Sequence, residues 1–155
     1  MKKLLLSAFG ILLFATNVYA SGPEDNLFAK HFNQQNSIAI HGYDVVSYFK
    51  GSPQQGSGNF EVDYKDIIFQ FANQENANAF DSNPEKYLPA YGGWCATAMG
   101  MMNQKLDVTP DSYLIENGVL YLFSTSMGPA KDMWLQNQPG VKQKADENWA
   151  NISTR

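Results

Sequence analysis

Cysteine is nearly absent: Cys95 is the only one in 155 residues. A single thiol cannot close an intramolecular disulfide, so the core must hold the fold alone, and dithiol–disulfide exchange within the chain is excluded. Histidine is almost as scarce, with only His31 and His41, which leaves no paired-histidine zinc pattern. Basic residues are few and scattered, 11 Lys and Arg against 15 Asp and Glu, for a net charge of −4. Nucleic-acid binding needs a clustered positive face and is not expected. Beyond the N-terminal stretch no apolar run is long enough to cross a bilayer. The stretch from Asp107 to Asp111 lacks the alternating carboxylates and central glycine of a calcium loop. There is no phosphate-cradling glycine loop, no nucleophilic-serine elbow, no internal repeat and no low-complexity tract.

What is present begins with an export signal. Lys2 and Lys3 precede the apolar stretch from Leu4 to Ala15, and Val18-Tyr19-Ala20 fits a small-x-small cleavage site. The expectation is a signal peptide over residues 1–20, cut after Ala20, and a soluble periplasmic or secreted product with no membrane span after cleavage; an uncleaved N-terminal anchor is the alternative. Loss of Lys2 and Lys3 moves the net charge from −4 to −6. The remainder is of single-domain size. Its aromatic residues, 10 Phe, 8 Tyr and 3 Trp, supply large buried area per side chain.

Periodicity divides that remainder into a polar N-terminal arm, 21–36, and a domain, 37–155. Ile38 to Ile40 reads as a short strand. His41 to Asp44 is a turn in which Asp44 caps a helix carrying Val45, Tyr48 and Phe49. Residues 60–64 and 67–71 alternate apolar and polar around Lys65-Asp66, and residues 113–116 and 119–123 flank Asn117-Gly118, so two β-hairpins are predicted. Asn73 caps a helix through Phe80, and Asn83-Pro84 opens a short helix that Pro89 ends. Gly92-Gly93 makes a sharp turn before a helix over 94–102. Two C-terminal helices, 128–136 and 141–152, are separated by Pro139-Gly140. The expected fold class is α+β: a small antiparallel sheet built from the two hairpins, packed with several short helices.

The order of motifs resembles the YHS-domain family. His41-Gly42-Tyr43-Asp44-Val45-Val46-Ser47-Tyr48-Phe49 is similar to the opening of those domains. Phe69-Gln70-Phe71-Ala72 with Asn76, Phe80 and Asn83-Pro84-Glu85-Lys86-Tyr87 is similar to their central stretch. Tyr91-Gly92-Gly93-Trp94-Cys95-Ala96, Asn117-Gly118 with Leu120-Tyr121-Leu122, and Lys144-Ala145-Asp146-Glu147-Asn148-Trp149 follow in family order. The resemblance runs from about Ser37 to Trp149. It implies an exported single-domain protein of a group mostly without an assigned function; metal handling in the wider group uses cysteines that the stretch Phe71 to Asn76 lacks.

Candidate chemistry gathers at the two glycine turns. One reading is a soft-metal site: a thiolate and thioethers select Cu(I), and Cys95, Met99 and Met102 fall on one helical face at i, i+4 and i+7, with His41 as a further ligand if the turns meet. The competing reading of such a stripe is core filling. A second reading is thiol catalysis, with Cys95 in the first turn of a helix and His41 oriented by Asp44. A third is a non-catalytic binding or interaction domain in which Cys95 is a buried hydrophobe and Tyr91 and Trp94 are packing residues or pocket walls. The expected role is binding of a metal ion or small ligand near Cys95, His41, Tyr43, Asp44, Tyr91 and Trp94. An exposed lone thiol would also permit an intermolecular disulfide dimer. His31 is expected to be solvated, the scattered acids to be surface or capping residues, and Trp134 and Trp149 to clamp the terminal helices.

Overall fold

A computed structural model of the chain describes residues 26–137 and 140–155, and over them the two predicted hairpins form. The expected signal peptide and Pro139 lie outside the described residues. The order is α1 (Leu27–His31), β1 (Gln34–Gln35), β2 (Ile38–Ala39), α2 (Val45–Phe49), β3 (Ser57–Tyr64), β4 (Ile67–Phe71), α3 (Gln74–Ser82), α4 (Ala96–Met102), β5 (Tyr113–Glu116), β6 (Val119–Leu122), α5 (Ala130–Leu135) and α6 (Val141–Ile152). The fold class is α+β. Among the described residues no helix is long and apolar enough to cross a membrane.

The strands do not form one antiparallel sheet, which corrects the expected arrangement. β3 and β4 pair as predicted, joined by Lys65 and Asp66 at φ 54° and 65°. The other edge of β4 is taken by β2, parallel, with Ile38 opposite Ile68, and β1 lies outside β2. β5 and β6 form a separate ladder around Asn117 and Gly118, at φ 53° and 78°. The extra strands come from a third hairpin, β1–β2, whose turn residues Asn36 and Ser37 are also left-handed, at φ 53° and 65°. Serine rarely adopts that conformation, so Asn-Ser is a far weaker turn signal than Asn-Gly. The segment expected as an arm therefore carries α1 and β1, and it buries Phe32 and Asn33.

The core lies between the larger sheet and the helices. Ile67, Phe69 and Phe71, alternate residues of β4, are buried with Phe32, Tyr48 and Phe80. Phe80 stacks on both Phe69 and Phe71, at 4.6 and 5.2 Å between centroids. Removal of such a side chain from water stabilises the fold by about 2 kcal/mol. Trp134, Leu120, Leu122 and Phe123 continue the core beneath the second hairpin. Caps set the helix starts: Asn73 Oδ1 accepts from the Asn76 amide at 2.9 Å, opening α3 as expected. Asn83 makes no such side-chain cap, and the segment Pro84–Lys86 is a single 3-10 turn.

Candidate functional site

Both glycine turns run through three successive left-handed residues. Ile40, His41 and Gly42 have φ of 43°, 54° and 77°; Tyr91, Gly92 and Gly93 have φ of 55°, 58° and 80°. A β-branched residue at such an angle is strained, at a cost of about 1–3 kcal/mol, and persists only when its surroundings enforce it. Here buried Asn33 enforces it. Its amide donates to Gly92 O at 2.7 Å and its carbonyl accepts from Ile40 N at 3.0 Å. Its side-chain Nδ2 donates to Gly93 O at 3.1 Å and Asp107 Oδ1 at 3.0 Å. A Cβ on Gly93 would strike Ile40 Cδ1. The two turns thus meet, through backbone and asparagine.

The expected ligands and catalytic groups do not converge there. Cys95 has no exposed surface, precedes α4 at its N-cap position, and its Sγ accepts from Ser124 N at 3.3 Å. Met99, one turn further on, is also fully buried, whereas Met102 is 47% exposed. The expected common face breaks because α4 ends at Met102, with left-handed Asn103 after it, so its last turn runs past the core. His41 sits on the surface, with Nε2 2.9 Å from Asp107 Oδ1. No copper site assembles from Cys95, Met99, Met102 and His41, and among the described residues no group of three His, Cys, Asp or Glu side chains is placed to hold a metal. The thiol reading fails on the same geometry. His41 is oriented by Asp107, not Asp44, and Asp44 is buried beneath α2 with four donors on its carboxylate. Buried Cys95 is likewise closed to an intermolecular disulfide.

Asp107 collects three donors on one oxygen: Asn33 Nδ2, His41 Nε2, and its neighbour Val108 N at 2.8 Å. Burial of the carboxyl pushes its pKa up, but these hydrogen bonds outweigh that and hold it below the usual carboxylate range. Tyr43, between these groups and Asp44, is half-buried and bridges to Gln55. Trp94 donates Nε1 to His31 O at 2.8 Å and carries Lys105 Nζ 5.9 Å above its ring. It is a wall of the α1 contact.

Tyr91 belongs to a different feature. Beside its turn lies an open groove of about 630 Å³, bounded by α1, residues 85–92, the β5–β6 turn and α6. Tyr91, Tyr121 and Trp149 line it, with centroids 6.0 Å apart for Tyr91–Tyr121 and 6.4 Å for Tyr91–Trp149. Tyr91 OH donates to Asp146 Oδ1 at 2.9 Å. Burial, then this bond, pushes the phenol pKa well up, so it stays a donor. On the α1 side, Lys105 Nζ donates to His31 Nδ1 at 2.7 Å, so Nε2 carries the proton and donates to Arg155 O at 2.9 Å. Gly92 is required by space as well as by φ: a Cβ there would lie 2.8 Å from Trp149 Cη2.

Sequence reasoning missed Asp146, Tyr121, Trp149 and His31 as members of one site. Two local signals were available. Asp146 and Trp149 stand at i, i+3 on α6 and share a face. Tyr121 alternates with buried Leu120 and Leu122 on β6 and so lies on the opposite face of the ladder. Comparison with protein-family models, with curated proteins and with solved structures gave no match.

Proposed function

We propose that this chain, which resembles the YHS-domain family, is an exported, non-catalytic binding domain, and that it takes a small ligand in the groove beside the Tyr91–Gly93 turn. One observation carries the reading: an open groove of about 630 Å³ that combines three aromatic walls with a few polar groups, Asp146, His31 and the Tyr91 hydroxyl. Small-molecule sites have this volume and this mixture, roughly 300–1,000 Å³ of mainly apolar surface with a few polar groups that fix orientation. Two of the walls are held from behind. Tyr91 packs on Trp134 at 6.1 Å between centroids, and Trp149 abuts Gly92. A preformed wall of this kind binds without a large ordering cost.

The test is a fragment screen on the isotopically labelled mature chain, read by amide and indole chemical shifts. The expected result is a set of fragments whose shifts cluster at Tyr91, Gly92, Val119, Tyr121 and the Trp149 indole. A screen in which no fragment perturbs that cluster would remove the groove as the site.

A further inference from the structure

We infer that the groove selects organic cations, a quaternary ammonium or protonated amine on a small apolar body; this rests on the groove being the binding site. Tyr121 and Trp149 are half-buried and flank the Tyr91 ring, itself only 6% exposed, so a bound group meets chiefly the first two. Aromatic faces carry negative potential and attract a cation within about 6 Å, most strongly when it is desolvated.

Charge pairing in the groove acts in the same direction. Besides Asp146, three charged side chains or imidazoles line the groove, Glu85, Lys86 and His31, and Lys105 stands behind His31. Glu85 Oε1 is already satisfied by Tyr64 OH and by Lys65 Nζ at 3.2 Å. Lys86 Nζ lies 4.9 Å from the Tyr87 ring centroid and has no carboxylate partner among the described residues. His31 Nδ1 accepts from Lys105 Nζ at 2.7 Å. The nearby Glu116 is bound by Lys142 Nζ at 2.8 Å. Of the two carboxylates in the lining, Asp146 is the one without a paired cation. Among the described residues no Lys, Arg or His pairs with it, and its single hydrogen bond, from Tyr91 OH, engages only Oδ1. A carboxylate left with a free oxygen beside three aromatic rings is complementary to a cation with apolar substituents. It repels an anion and offers a neutral ligand a hydrogen-bond acceptor but no charge pairing.

The experiment uses three probes that share one ring: benzyltrimethylammonium, benzyl alcohol and benzoate, titrated against the labelled protein with the Trp149 indole as readout. The cation is expected to bind about tenfold more tightly than the alcohol, and benzoate more weakly still. Asp146→Asn keeps an acceptor for Tyr91 OH, so the fold is retained; it should abolish the preference for the cation and leave the alcohol within about twofold. Tyr121→Leu removes one wall at a half-exposed position and should weaken the cation several-fold with Asp146 in place. Equal binding of cation and alcohol, unchanged by Asp146→Asn, would overturn the cation inference and leave the groove as a site for neutral ligands. Shifts from none of the three probes, together with a fragment screen that finds the groove silent, would overturn both. Fragments that bind there while the cation does not would overturn the inference alone.

Discussion

Asp44 receives more hydrogen bonds than any other carboxylate described. Oδ1 accepts from Val46 N at 2.9 Å and Ser47 N at 3.1 Å; Oδ2 accepts from Ala72 N at 3.0 Å and Asn76 Nδ2 at 2.6 Å. One fully buried side chain therefore ties the start of α2 to the end of β4 and to α3. Asp44→Ala leaves all four donors without that partner, and the expected loss is about 3 kcal/mol, beyond an ordinary cap deletion. Asp44→Asn keeps the acceptor for α2 but turns an NH₂ toward two donors, so it should lose most of the same stability. Urea unfolding of the two variants checks this; a loss under about 1 kcal/mol for Asp44→Ala would contradict it. Cys95 is the opposite kind of residue, a thiol without exposure that accepts one amide. It should resist a thiol reagent in the native protein and react only as the chain unfolds, so that the labelling rate tracks unfolding across denaturant concentrations. Labelling at the speed of a free thiol in water would show that Cys95 is accessible after all.

At the scale of elements, α4 and α6 meet where Gly100 faces Val141, and a Cβ on Gly100 would collide with the Val141 carbonyl oxygen. Two effects then compete in Gly100→Ala. Helix propensity favours alanine by about 1 kcal/mol, while overpacking costs about 1–3 kcal/mol and more when the obstacle is backbone. The obstacle here is backbone, so the variant should lose stability, and Asn148 Nδ2 should lose its bond to Met99 O, now 2.8 Å. Thermal unfolding checks the sign: a raised Tm would mean the helices are free to part. Elements were legible where one residue type dictates a conformation, as at Asn117-Gly118 or the Asp44 and Asn73 caps. They were not legible where tertiary pairing overrides weak local signals, as at Asn36-Ser37, which turns β1 into β2 because β4 offers Ile68 as a parallel partner. The groove was harder still. Its walls come from four segments far apart in sequence, and no local period links Tyr91 to Tyr121 or Trp149. The Cys95, Met99, Met102 stripe shows the converse, a period read correctly at two positions and lost where the helix ends.

Across the whole molecule, the two turns that dominate the sequence are joined by a residue the sequence did not single out. Asn33 connects the α1 segment to Ile40, to Gly92 and Gly93, and to Asp107. Asn33→Ala removes both side-chain bonds and leaves Gly93 O and Asp107 without that donor; the expected cost is about 2 kcal/mol. Asn33→Asp is more informative because it adds a pH signature of known sign. A second carboxylate would stand within hydrogen-bond reach of Asp107 and the Gly93 carbonyl, with no proton to share while both are ionised. Like charges so close raise the pKa of one of the pair in the folded state above its unfolded value. A raised carboxyl pKa means that the folded state binds a proton more readily than the unfolded chain, so the variant gains stability relative to the native protein as pH falls through that raised value. The native protein behaves in the other direction. Its Asp107 pKa is lowered by Asn33, His41 and Val108, and the stability this contributes is complete above the ordinary carboxylate pKa and lost as pH falls below it. The stability gap between the native protein and Asn33→Asp should therefore narrow steadily from pH 7 toward pH 4, whereas the gap to Asn33→Ala stays nearly constant over the same range. Urea midpoints measured at each pH separate the two. Parallel curves for all three proteins would show that Asn33 and Asp107 are not electrostatically coupled, and that the meeting of the turns rests on the Asn33 backbone alone.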